Sequence, residues 1–220
     1  MTRLASEGGP TEFFSRHPDK VEQVKVGLIQ LLMKENGTFI ASDKKAPLRN
    51  LTEEDGEYYA EVIDVVSSLN DERSIPALVG AMTTGGMAQR GLLKYGDKAL
   101  EPALEQLKNP DALVRAVALG MSVTLLEKRN DPTSRKRAVD IIRSSLTDSA
   151  AVVRGHAVRE IGCLDERQEF LPILEKIAKT DPERLPGKAL DGGDGDEFYP
   201  VRYDARAVLR DIKNNKACQP

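Results

Sequence analysis

The chain has 220 residues, of which 40% are hydrophobic and 30% charged, and its 32 basic and 35 acidic side chains give a formal net charge of −3. Such a composition excludes disorder throughout, and the near balance of charge excludes a global attraction to nucleic acid or anionic membrane. No apolar run approaches the roughly 20 residues that a bilayer crossing needs.

Residues 1 to 18 read as a flexible N-terminal segment that lacks the apolar stretch of a signal peptide. The expected compartment is the cytoplasm, with export the alternative if a leader has been trimmed. A first helix is predicted over 19 to 35, where Val21, Val24, Leu28, Leu31 and Leu32 share a face, followed by a polar connection through ENGTFIASDKKAPLRN. Helix pairs follow at 53 to 69 with 74 to 84, 86 to 95 with 98 to 108, 111 to 127 with 132 to 147, and 150 to 164 with 168 to 179. A last helix covers 200 to 213, and 214 to 220 read as a flexible tail. Nothing alternates like a sustained strand, so the fold class is all-α.

The chain repeats itself. LNDERSIPALVGAM, YGDKALEPALEQL and CLDERQEFLPILEKI each place an acid (Asp71, Asp97, Asp165) ahead of Pro-x-Leu, with Pro76, Pro102 and Pro172 as the prolines. Proline suits a first helical turn, where its missing N–H has no intrahelical partner. A second frame, Val-Arg-x-x-Ala, superposes DALVRAVAL, AAVVRGHAV and YPVRYDARAV on Arg115, Arg154 and Arg202. The steps between these arginines are 39 and 48 residues, the longer one containing DGGDGDE. Periods of about 40 to 47 residues belong to HEAT and armadillo arrays.

Val153, Arg154, Ala157, Gly162 and Leu164, followed by Pro172 and Leu174, resemble the HEAT repeat, in particular the short HEAT-like repeats of the phycobilisome lyase type. The similarity covers about residues 53 to 213 and implies an α-α superhelix, a HEAT-like solenoid forming one domain from 19 to 213. Residues 121 to 125, MSVTL, depart from the usual Ala-Leu-Gly step, and the first units lack the Val-Arg pair. The resemblance carries no activity with it, because the matched positions are cores, caps and ladder contacts.

Function is therefore read as a non-catalytic scaffold or adaptor that binds a protein or peptide partner on a concave face lined by the second helices. The alternatives are a nucleic-acid-binding protein and a lyase-like enzyme or enzyme subunit. Arg115, Arg154 and Arg202 read as structural, bonding acids or helix ends of neighbouring units through the guanidinium fork. The basic run KRNDPTSRKRAVDIIR (128 to 143) supplies the candidate partner contacts Arg135, Lys136 and Arg143, set against the simpler reading of a solvated helix face.

DGGDGDE (191 to 197) lacks the register of an EF-hand loop, so a solvated insertion is favoured over calcium binding. Cys163 reads as a packed side chain and Cys218 as a free surface thiol; two cysteines make neither a disulfide scaffold nor a zinc site. His17 and His156 have no nucleophile motif beside them, Glu53 and Glu54 are an ordinary charged pair, and GGMAQRG punctuates helices rather than cradling phosphate. No cofactor or metal is expected.

Overall fold

The computed structural model describes residues 10–39, 53–84, 86–186 and 197–216. Among them the chain is helical, apart from short 3-10 turns and one antiparallel pair of two-residue strands. It divides into two compact units, Met1–Pro102 and Ala103–Pro220, where the sequence reading runs a single repeat domain from 19 to 213.

The first unit begins with α1 (Pro10–Arg16), so part of the segment read as flexible is helical. A 3-10 turn (Pro18–Lys20) leads into α2 (Val21–Phe39), which continues past its expected end at 35 into the supposed polar connection. Asn36 explains the extension. Its Nδ2 donates to the carbonyl of Ala77 (2.8 Å) and its Oδ1 accepts from the Tyr59 hydroxyl (2.5 Å), while Phe39 stacks on Tyr59 with ring centroids 4.4 Å apart. The polar end of α2 is thus fastened to two other segments.

Helix α3 (Glu53–Ser68) buries Tyr59, Val62, Ile63 and Val66, followed by buried Leu69, and Asn70 ends it at φ 50°. Asparagine tolerates that left-handed conformation better than most residues. Asp71 then accepts from the Arg73 N–H (3.1 Å) to cap the turn Glu72–Ser74, and the Tyr95 hydroxyl accepts from the Asp71 N–H (3.0 Å). Helix α4 (Ile75–Gly80) follows, with Pro76 in its first turn, and then α5 (Gly86–Tyr95). α2 packs on α3 and α4, and α5 packs on the same two helices.

Helix α6 (Asp97–Glu105) runs through the boundary of the two units. Pro102 lies inside it rather than in its first turn, a correction to the shared proline frame. The helix begins at Asp97 because an acid in the first turn suits the exposed N–H groups there.

In the second unit α7 (Ala112–Lys128) is capped by Asp111, which accepts from the Leu113 N–H (2.8 Å), and α8 (Pro132–Ser145) by Asp131, which accepts from the Ser134 N–H (2.9 Å). Helix α9 (Ala151–Ile161) is flanked by α7 and α11 (Pro200–Lys213). α8 packs on α7 and α9, and α10 (Leu171–Thr180), which has Pro172 in its first turn, packs on α11. A 3-10 turn (Asp165–Phe170) precedes α10 and delivers Phe170, fully buried, to the core. The strands β1 (Leu185–Pro186) and β2 (Glu197–Phe198) pair Leu185 with Phe198.

Helix α7 is buried almost all round, with Ala116, Leu119, Met121, Val123, Leu125 and Leu126 inside, as expected of a helix packed on several sides. This includes the MSVTL stretch, whose Ser122 hydroxyl is buried without a hydrogen-bond partner among the described residues. A buried unpaired hydroxyl destabilises, so Ser122→Ala should raise the unfolding free energy by about 1 kcal/mol, seen as a higher denaturation midpoint at unchanged slope.

Cys163 is not a packed side chain: it is exposed and disulfide-bonded, while Cys218 lies outside the described residues. Among the described residues no helix is long and apolar enough to cross a membrane, and no group of three His, Cys, Asp or Glu is placed to hold a metal ion. Of DGGDGDE, residues 191–196 lie outside the described residues.

Candidate partner-binding surface on the second unit

Of the three arginines in the Val-Arg-x-x-Ala frame, Arg115 and Arg154 make the same set of bonds. Nε and Nη2 of Arg115 grip both oxygens of Asp148 (2.9 and 2.8 Å), while Nη1 donates to the carbonyls of Asn109 (2.8 Å) and Pro110 (3.1 Å). Arg154 grips both oxygens of Asp181 (2.7 and 2.9 Å) and donates from Nη1 to the carbonyls of Asp148 (2.9 Å) and Ser149 (3.1 Å). Arg202 continues the series with a bond from Nε to the carbonyl of Asp181 (2.6 Å).

The result is a chain of contacts, Arg115 to Asp148 to Arg154 to Asp181 to Arg202. Each aspartate also accepts from the N–H two residues on, Asp148 from Ala150 (2.8 Å) and Asp181 from Glu183 (3.0 Å). The Arg115 bonds hold the Asp148 carboxyl below the usual range. For Asp181 burial pushes upward, but the bonds from Arg154 and the Glu183 amide, with the charges of Arg154 and Arg202, prevail and hold it low. These arginines position helix starts against one another.

Beside this chain lies a hollow of about 350 Å³ between the start of α9 and the start of α11, lined by Val152, Gly155, Leu185 and Val201. An ion pair of Arg159 with Asp204 (2.5 Å) edges it. Burial raises the Asp204 carboxyl above its ordinary value, against the lowering effect of Arg159. At Gly155 a Cβ would come within 3.3 Å of the Asp204 oxygen, so the absence of a side chain leaves that space to the ion pair. Val152 and Leu185 remain 40% and 46% exposed. A concave, mainly apolar surface with few oriented polar groups is what binding sites are commonly made of.

The basic run 128 to 143 is less available than its composition suggests. Arg135 faces Asp165 (3.5 Å) and donates to the Asn130 side chain (2.5 Å). Arg143 donates to Glu169 (3.1 Å) and lies over the Phe170 ring, 4.6 Å from its centre. Lys136 is exposed. A smaller hollow of about 210 Å³ lies where this run meets the turn before α10, lined by Glu127, Arg135, Asp165 and Glu166 among others. Burial and the charges of Asp165 and Glu166 raise the Glu127 carboxyl there. Its lining is thus more acidic than basic.

Val152, Leu185, Arg159 and Asp204 escape a reading of the sequence that looks for charge. A signal does exist for one of them: Leu113 and Val152 stand two residues before Arg115 and Arg154, and both are exposed, at 48% and 40%. Comparison with protein-family models, curated proteins and solved structures gives no match.

Proposed function

We propose that this chain is a HEAT-like α-α superhelix acting as a scaffold, and that it holds a protein or peptide partner by an apolar side chain placed in the hollow between α9 and α11. The observation that carries the binding reading is the exposure of Val152 and Leu185 around that hollow. Large apolar groups concentrated in a concavity, with a polar pair at its edge, suit the anchor residue of a partner. The superhelical reading draws support from the repeated register of Arg115 and Arg154 and from α9 being flanked by α7 and α11.

Val152→Glu tests the site. Val152 is 40% exposed, so the substitution should leave thermal unfolding within a degree or two while placing a charge in the hollow. Cross-linking pull-down from the native cell, read by mass spectrometry, should recover a protein with the original chain and lose it with Val152→Glu. Equal recovery by both chains rules out the hollow.

A further inference from the structure

The opposite flank of α11 carries a second surface. Arg202, Arg206 and Arg210 recur every fourth residue, so they follow one stripe of the helix. Lys213 continues the stripe and is occupied by Glu175 (3.1 Å). The three arginines are not so occupied. Among the described residues no carboxylate bonds to Arg202, whose guanidinium lies 4.0 Å over the Tyr199 ring. Arg206 is exposed and has no ion pair among the described residues, and Arg210, 67% exposed, has only Asp211 at 3.9 Å.

Two independent observations bear on what this stripe takes. Like charges four residues apart on a helix repel each other, and the chain as a whole is net negative at −3, so the stripe is a local feature that an anion would relieve. The contact chain specifies the anion further. Arg115 and Arg154 each grip a carboxylate with Nε and Nη2 while also holding a backbone carbonyl. Arg202 instead spends its Nε on the Asp181 carbonyl, and among the described residues its Nη1 and Nη2 meet no carboxylate. The fork geometry of guanidinium matches a carboxylate with two parallel bonds.

We propose that this stripe docks an acidic segment of a polypeptide partner, one of whose carboxylates bonds Nη1 and Nη2 of Arg202, with further acids facing Arg206 and Arg210. This rests on the reading of the chain as a partner-binding scaffold, and it names the chemistry of the partner. Complementary charge sets orientation and association rate as much as affinity.

A labelled peptide of Asp-Pro-Glu repeats, which resembles the turn at Asp181, serves as the probe in an anisotropy titration of the full chain. Saturable binding is expected. It should weaken about tenfold or more when Arg206→Ala is combined with Arg210→Ala, and likewise in Arg202→Gln. The Asn-Pro-Gln counterpart and a short DNA duplex should bind more weakly than the acidic peptide. Val152→Glu should bind the peptide as the original chain does, which separates this surface from the hollow.

Absence of saturable binding overturns the proposal, as does binding unchanged in the doubly substituted chain, whose two exposed positions leave the fold intact. Tighter binding of the duplex overturns it in favour of a phosphate surface. Loss of the native partner in Val152→Glu with no peptide binding in any chain would retain the hollow and remove the stripe.

Discussion

Arg154→Ala should lower the unfolding free energy of the second unit by about 3–5 kcal/mol, a fall in Tm of about 10–20 °C. Both side chains of the pair are nearly enclosed, Arg154 at 10% exposure and Asp181 at 4%. Removal of the guanidinium strands a buried carboxylate and also frees the carbonyls of Asp148 and Ser149. Arg115→Ala should cost less, because that pair is more open at 15% and 18%.

The dependence on pH makes the cause identifiable. Asp181 and Asp148 sit below the ordinary carboxylate value in the folded chain, and an unfolded aspartate titrates near about 3.9. Stability from these pairs is complete above that value and is lost as the pH falls through the lower folded values. Burial is already the largest single influence on Asp181, and without the opposing bonds and charge of Arg154 it is expected to raise the carboxyl, so protonation then favours the folded state. The gap in Tm between the original chain and Arg154→Ala should narrow as the pH is lowered below about 4. A gap constant from neutral to acid pH would show that the pair is not its source.

Gly91→Ala is the corresponding test of the first unit, with an expected loss of about 1–3 kcal/mol. A Cβ at position 91 would collide with the Ser67 hydroxyl oxygen and stand 2.9 Å from the Ser67 Cβ and 3.3 Å from Leu78. The first and last of these atoms can turn aside, but the Ser67 Cβ moves only with the backbone of α3. Ser67→Gly should therefore restore much of the loss in the double substitution, and a denaturation cycle over the four chains measures that coupling. Simple additivity of the two changes would place the obstruction elsewhere.

Helices were legible in the sequence because their apolar spacing was. The α3 stripe of Tyr59, Val62, Ile63 and Val66 is buried, as are Val201, Ala205, Leu209 and Ile212 of α11. Where contacts from distant segments decide an end, spacing fails. The last turn of α2 depends on Ala77 and Tyr59, 41 and 23 residues from Asn36. Pro102 shares its local frame with Pro76 and Pro172, yet α6 starts ahead of it at Asp97, so the frame does not fix where a helix begins.

The arginine frame was visible, whereas its acceptors were not. Asp148 looks like an ordinary acid before a helix and Asp181 like one at a helix end, and they lie 33 and 27 residues beyond their arginines, an interval too irregular to find by superposition. The same blindness inflated the basic run. Asp165 and Glu169, which face Arg135 and Arg143, are distant in sequence and enter only when the chain folds. Exposed apolar side chains such as Val152 leave still less trace, since one valine in a helix carries no label for inside or outside.

The clasp of β1 with β2 separates the placement of α11 from the length of chain that precedes it. Leu185 pairs with Phe198, and the Asp181 carbonyl is bonded to Arg202, so the chain is held together on both sides of residues 187–196. The free energy of closing a loop grows only slowly with its length. The contacts that seat α11 therefore do not depend on how many residues join Pro186 to Glu197, and an epitope inserted there is expected to leave α11 in place.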